Sequence, residues 1–192
     1  MKKPVIPTSG QPTSLIVPSA LMALTMIAQP AHAVQYLTLA QVQRVLYPSA
    51  SEFKARDFLL TQTQRDAIAA AADVRVGNAH VHAWEARSAQ GLLGYVLVDD
   101  VTGKHDAITY AVAISVQGKV QGVEIMDYRE TYGGQIRDER WRAQFIGKGF
   151  ADPLKLERDI KNISGATLSS SHVTDGVRRL VRTFEIAIKP SI

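Results

Sequence analysis

The 192-residue sequence contains no cysteine. Disulfide frameworks, cysteine-ligated iron–sulfur clusters and C-x-x-C-H haem attachment sites all need that residue. The sequence therefore excludes each of these, together with thiol catalysis. A redox centre in this protein would have to be held by groups other than sulfur.

The sequence also lacks a strong excess of either charge. It has 22 Lys and Arg against 18 Asp and Glu. Two of the lysines, Lys2 and Lys3, lie in a leader described below, and without them the net charge is +2. A protein that binds nucleic acid usually carries a clear basic excess, so no nucleic-acid partner is predicted.

No hydrophobic run is long enough to predict a membrane-spanning helix. The longest, from Leu15 to Ala28, is shorter than the roughly 20 residues that such a helix requires. It follows two lysines and precedes Ala31-His32-Ala33, the order found in secretory signal peptides. We therefore predict a signal peptide over residues 1–33, cleavage after Ala33 and a periplasmic or otherwise exported protein. Retention of the leader as a membrane tether is the alternative.

Several common catalytic motifs are missing as well. The sequence has no G-x-S-x-G nucleophile elbow, no G-x-x-x-x-G-K-[ST] phosphate loop and no G-x-G-x-x-G dinucleotide fingerprint. It therefore offers no basis for a serine hydrolase, a P-loop nucleotidase or a Rossmann dehydrogenase.

Apolar periodicity predicts one α+β domain, in which an antiparallel β-sheet packs against helices. Helical spacing indicates short helices over residues 38–46 and 61–74, the second opening with a Thr61/Gln64 capping box. The pattern then indicates four strands between residues 80 and 128, separated by turns typical of hairpins. A last helix is predicted from about Ser170 to Ile188, with its arginines mostly on the outer side. We divide the chain into the leader, N-terminal helices and first strands over 34–98, and a core over 99–192.

The histidines give weak functional signals. His80 and His82 lie two apart on a predicted strand, so they could share a metal, but no third ligand is evident. A solvent-facing position is the favoured interpretation for both. His105 lies in a turn between two strands, from which it could contact a ligand.

The run NISGATLSSS, residues 162–171, precedes the last helix and holds more hydroxyl groups than capping requires. The amino end of a helix carries unpaired N–H groups and a positive dipole end. Small residues at Ser164, Gly165 and Ala166 would let a phosphate approach the backbone closely. The residues alone leave two interpretations open, a phosphate-binding turn and a loop with surplus caps.

Three features together resemble a known family. They are SGATLSS at residues 164–170, RETYGG at 129–134, and a Trp-x-x-x-Phe helix between them that contains Trp141 and Phe145. This combination, over about residues 99–188, resembles the FMN-binding domain of the flavin-carrying subunits of sodium-pumping quinone reductases and Rnf electron-transport complexes. In that family the motif threonine is esterified to the flavin phosphate.

The resemblance implies covalent FMN at Thr167. The other expected cofactor-binding residues are Ser164, Gly165, Ala166, Leu168, Ser169, Ser170, Glu130, Thr131, Tyr132, Gly133, Gly134 and His105. By the same resemblance, Glu130, Thr131 and the glycine turn would lie against the ring system and Tyr132 could stack on it. We assign Trp141 and Phe145 to the core, with direct flavin contact as the alternative.

Two positions depart from the family pattern. Lys161 stands where the family has an aspartate recognised by the flavin transferase, and Tyr132 replaces a proline. The expected function is an exported electron carrier, rather than a stand-alone enzyme, with a membrane-bound redox partner and a flavin transferase as partners. The alternatives are a periplasmic binding or sensory module that holds noncovalent FMN, and a flavin-dependent reductase of a soluble substrate.

Overall fold

The computed structural model describes residues 34–130 and 132–191. The predicted leader, residues 1–33, lies outside the described residues, and so does Thr131. Export and cleavage after Ala33 therefore stay predictions.

An antiparallel sheet of seven strands forms the centre of the described domain. The strands are β1 (Val34–Gln35), β2 (Glu52–Ala55), β3 (Phe58–Leu59), β4 (His80–Ser88), β5 (Gly91–Thr102), β6 (Ala107–Ser115) and β7 (Val120–Tyr128). Their order is β1-β7-β6-β5-β4-β2, and β3 pairs with β4 beyond the end of β2. The four long strands pair antiparallel in chain order, as successive hairpins. Their side chains alternate between the two faces of the sheet and contribute to a core on each face.

Within residues 34–130 and 132–191, four α-helices accompany the sheet. They are α1 (Leu39–Leu46), α2 (Gln62–Ala72), α3 (Glu139–Arg142) and α4 (Thr167–Thr183), which continues as a π-helical turn over Phe184–Ile188. The larger core lies between one sheet face and α2, α3 and α4, while α1 covers part of the other face. The predicted α+β architecture is therefore confirmed.

The two predicted N-terminal helices are confirmed, and so is the Thr61/Gln64 capping box; the structure adds a second box at Thr38. Thr38 and Thr61 each accept a hydrogen bond from the backbone three residues on, and the glutamine there bonds back to the cap. The three shortest strands were not predicted, because two to four residues are too few to show an alternating pattern. None of the helices in the described ranges has the length and apolarity needed to cross a bilayer.

The last helix differs from its prediction in two respects. It begins at Thr167, three residues before the predicted start, and the expectation that its arginines lie mostly outside is wrong for two of the three. Arg178 is buried and donates to the carbonyl oxygens of Ala72 (2.5 Å) and Leu154 (2.8 Å). Arg182 is also buried and donates to the Asp152 carbonyl at 2.9 Å. These arginines satisfy main-chain acceptors at the end of α2 and in the 149–154 loop, which fixes α4 in place.

Candidate functional site

A pocket of about 520 Å³ opens where the first turn of α4, the β5–β6 hairpin and the segment after β7 meet. Its volume is in the range typical of small-molecule sites. The lining residues come from three separate parts of the sequence: Lys104, His105, Glu130, Tyr132, Gly165, Ala166, Thr167, Leu168 and Ser169. All of these except Lys104 were predicted as site residues.

The other predicted residues lie around this pocket. Gly133 is buried against Ser169 and Ala166, whereas Gly134 begins a 3-10 turn and has open space beside it. Ser164 faces a neighbouring surface depression, and Ser170 is buried behind the first turn of α4. The structure thus brings the two predicted motifs together at one end of the sheet.

The hydroxyl-rich run does not cap α4. The N-cap residue is Ala166, which has no side-chain acceptor, and no described side chain caps the helix. The first intrahelical hydrogen bond is donated by Ser170 N to the Ala166 carbonyl at 2.9 Å. The surplus-cap interpretation is therefore wrong, and the N–H groups of the first turn stand at the pocket without an intrahelical partner.

Thr167 is the first helical residue of α4, and its side chain is exposed at the pocket. Its Oγ1 lies 3.1 Å from Asn162 Nδ2. Asn162 was missed as a site residue, although asparagine directly before a turn is a recognised signal for local side-chain bonding.

Two glycines shape the backbone beside the pocket. Gly165, immediately before the N-cap, has φ +83°, and Gly133 has φ +95°. Both values lie in the left-handed region, where residues with a Cβ are strained. At Gly133 a Cβ would also meet the Tyr128 hydroxyl and lie 3.0 Å from Ser169 Oγ, so this position is closed to larger residues.

Glu130 holds the β5–β6 hairpin against the pocket. Its Oε1 accepts hydrogen bonds from the backbone N–H groups of His105 (2.5 Å) and Asp106 (3.0 Å). Desolvation opposes ionisation of this carboxyl, but the backbone hydrogen bonds outweigh it and lower its pKa. The carboxylate that lines the pocket is therefore already engaged in fixing the loop that presents His105.

Tyr128, another residue missed by the sequence, connects the segment after β7 to α4. Its hydroxyl donates to the Tyr132 carbonyl and lies 3.1 Å from Ser169 Oγ. Burial raises the pKa of this phenol, which keeps it protonated and able to donate. The contact fixes the turn that carries Tyr132 relative to the start of the helix.

The pocket rim is apolar on two sides. Tyr132 is 83% exposed and Leu168 is 49% exposed, although both are large hydrophobic residues. In contrast, Trp141 and Phe145 are buried in the core with their ring centroids 5.2 Å apart, as predicted. Trp141 Nε1 donates to the Lys161 carbonyl at 2.8 Å, and the α3 region thereby supports the turn before α4.

The metal hypothesis for the strand histidines finds no support. His80 and His82 are exposed, as the favoured interpretation predicted, and His82 Nδ1 lies 3.2 Å from Asp57 Oδ1. Within residues 34–130 and 132–191, no three His, Cys, Asp or Glu side chains are grouped as a metal site would require.

The segments that line this pocket all fall within a match to a known domain family. Residues 103–182 match the FMN-binding domain family. A curated relative from Clostridium ljungdahlii, which belongs to a proton-translocating ferredoxin:NAD(+) oxidoreductase complex, is 31% identical over 106 residues. That alignment covers 51% of this chain and 57% of the relative. The crystal structure of Shewanella oneidensis NqrC aligns with a TM-score of 0.47 and 17% identity, over 76% of this chain and 82% of that one.

Proposed function

We propose that this chain is an electron-transfer flavoprotein that holds FMN in the pocket at the start of α4, because residues 103–182 match the FMN-binding domain family. One observation carries the proposal. An uncapped helix amino terminus and an exposed threonine hydroxyl occur together in a pocket of suitable size. The free N–H groups of the helix terminus can bind a phosphate, and the threonine hydroxyl can form an ester with that phosphate.

The first turn of α4 is the proposed phosphate seat. Its free N–H groups and the positive end of the helix dipole favour an anion. The N-cap is alanine and the residue before it is glycine, so no bulky side chain blocks the approach of a phosphate to the backbone. Lys104 and His105 also line the pocket and add positive or hydrogen-bonding groups.

Thr167 is the proposed point of attachment. Its Oγ1 would be joined to the phosphorus of FMN by a phosphoester bond: the Oγ1–H bond and the anhydride bond of a flavin dinucleotide donor would break, and a nucleoside monophosphate and a proton would leave. Such a bond would retain the cofactor outside the cytoplasm even when noncovalent contacts open. Of the hydroxyl residues in the motif, Ser169 and Ser170 are buried and the exposed Ser164 faces a neighbouring depression, whereas Thr167 is exposed at the pocket.

The bound FMN would supply the electron chemistry, and the protein would supply its placement. Tyr132 and Leu168 offer apolar surface for one face and edge of a flat ring. The Glu130 and Tyr128 hydrogen bonds hold the two loops that carry the pocket wall. Because the rim is open, a redox partner could approach within electron-transfer distance.

A membrane-bound redox partner is proposed from the relatives. The Clostridium ljungdahlii protein is a subunit of a proton-translocating oxidoreductase complex, and this chain spans little more than half of its length. The similarity to that subunit and the predicted leader together support an exported protein that relays electrons between a membrane reductase and an extracytoplasmic acceptor. A flavin transferase would attach the cofactor.

A paired substitution tests this function. The chain would be produced with a flavin transferase, purified, and its visible spectrum recorded before and after denaturation. Thr167→Val should abolish flavin that remains on the unfolded chain, whereas Thr63→Val, an exposed threonine on α2, should leave it unchanged.

Other results would redirect the proposal. A flavin released from the wild-type protein on unfolding would support a noncovalent binding or sensory module. Steady turnover of a soluble acceptor without a membrane partner would support a stand-alone reductase. Purification without flavin, after production with an active transferase and FMN supply, would contradict the proposal.

A further inference from the structure

We infer that Asn162 is a positioning residue for the Thr167 hydroxyl: its side-chain amide holds Oγ1 by donating to it, both before and after a phosphoester forms. This inference rests on the proposed function and deepens it. It concerns a residue beside the family motif at the point where Lys161 departs from the pattern.

The orientation of the Asn162 amide follows from its hydrogen bonds. Oδ1 lies 2.7 Å from the backbone N–H of Ile163, which can only donate. The buried Ser170 hydroxyl lies 2.8 Å from the same Oδ1. Because the Ile163 N–H requires Oδ1 to be the acceptor, the –NH₂ group is the end that faces Thr167, 3.1 Å from its Oγ1.

This contact restricts an otherwise free side chain. Thr167 is exposed, and a threonine side chain can occupy several staggered rotamers. The hydrogen bond from Asn162 Nδ2 favours the rotamer that places Oγ1 beside the turn. Because a lone pair of Oγ1 accepts that bond, its own hydrogen remains free to leave.

The donor character of Asn162 suits both states of the oxygen. During attachment the Oγ1–H bond of Thr167 would break and an Oγ1–P bond would form. The anhydride bond of a flavin dinucleotide donor would break, a nucleoside monophosphate would leave, and the proton would pass to the transferase or to water. The resulting ester oxygen has no hydrogen, so a neighbouring group can bond to it only as a donor. An ionised aspartate at position 162 could not donate, and it would repel the phosphate.

The test measures kcat and KM of the flavin transferase with purified apoprotein as the acceptor substrate. Asn162→Ala and Asn162→Asp should each lower kcat by about tenfold, equivalent to about 1.4 kcal/mol, with little change in KM. Asn78→Ala is the matched control, because Asn78 also makes a local side-chain bond, to the His80 N–H at 2.9 Å, on another part of the domain.

Two further readouts separate positioning from a general structural effect. The thermal unfolding midpoint of Asn162→Asp should stay close to that of the wild type, because its carboxylate can still accept from Ile163 and Ser170. The ratio of the kcat of Asn162→Asp to that of the wild type should rise as the pH is lowered toward the usual aspartate pKa of about 3.9, since the protonated acid can donate to Thr167 Oγ1.

The outcomes are distinguishable. Wild-type protein that receives no flavin on Thr167 would overturn the covalent function and this inference with it. Wild-type protein that is flavinylated, with Asn162→Ala and Asn162→Asp modified at the same kcat, would overturn this inference alone. A tenfold loss that appears equally in Asn78→Ala would also overturn it.

Discussion

The two adjacent glycines after Tyr132 should respond differently to alanine. Gly133 has φ +95°, and a Cβ there would meet the Tyr128 hydroxyl and Ser169 Oγ. Gly134 has no positive φ, and nothing lies within 4 Å of the position that its Cβ would occupy. Because both variants replace a glycine by alanine at neighbouring positions, the difference between their stabilities reports the local backbone geometry and packing.

The magnitude follows from two terms at Gly133. The left-handed backbone costs a residue with a Cβ about 1–2 kcal/mol. Overpacking against Tyr128 and Ser169 adds about 1–2 kcal/mol. We expect Gly133→Ala to lower the free energy of unfolding by about 2–4 kcal/mol. For Gly134→Ala we expect a change between zero and about 1 kcal/mol of stabilisation, because alanine reduces the entropy of the unfolded chain.

The assay is urea unfolding of both variants, with flavin content measured in parallel. Gly133→Ala should also lower the flavin content of protein produced with the transferase, because its clash separates Tyr128 from Ser169 and moves the turn that carries Tyr132. Equal free energies of unfolding for the two variants would refute the argument from backbone geometry. Loss of stability in Gly133→Ala with flavin content unchanged would refute the coupling of this turn to the pocket.

Two further predictions concern the groups that fix the pocket walls. Arg178→Met should lower the free energy of unfolding by about 3 kcal/mol in a denaturant titration, because it leaves the buried Ala72 and Leu154 carbonyls unpaired. The control Arg140→Met, which replaces a side chain that is 93% exposed, should change it by less than about 0.5 kcal/mol. Similar effects of the two substitutions would contradict the role assigned to Arg178. Folding lowers the pKa of the Glu130 carboxyl. The ionised carboxylate therefore stabilises the native state at pH values above the unfolded pKa of about 4.3. This contribution is lost as the pH falls through the lower pKa of the folded state. The excess stability of wild type over Glu130→Gln in thermal unfolding should therefore shrink from pH 7 to pH 3.5, and a difference that is constant with pH would contradict it.

Local patterns predicted much of the fold. The β4 segment alternates, the other long strands are apolar segments bounded by glycine, aspartate or turn residues, and the Thr61/Gln64 capping box marks the start of α2. The early start of α4 escaped prediction because Thr167 and Ser169 are weak helix formers, and packing decides their conformation.

Long-range contacts account for the rest. Arg178 looks like a solvent residue in the helical pattern, yet its partner Ala72 lies 106 residues away in sequence. Tyr128 reads as a strand residue, and only the fold brings its hydroxyl to Ser169, 41 residues later. The motif residues of the site were predicted by resemblance, whereas the hydrogen bonds of Asn162 depend on the turn geometry that the structure provides.

Peptide mass spectrometry tests the central claim most directly. Trypsin cleavage after Lys161 and Arg178 releases residues 162–178, which contain Thr167 and every serine of the motif. In protein produced with a flavin transferase, we predict that this peptide gains the mass of FMN less one water, and that fragmentation places the addition on Thr167. An unmodified peptide under those conditions, or an addition on one of the serines, would contradict the account.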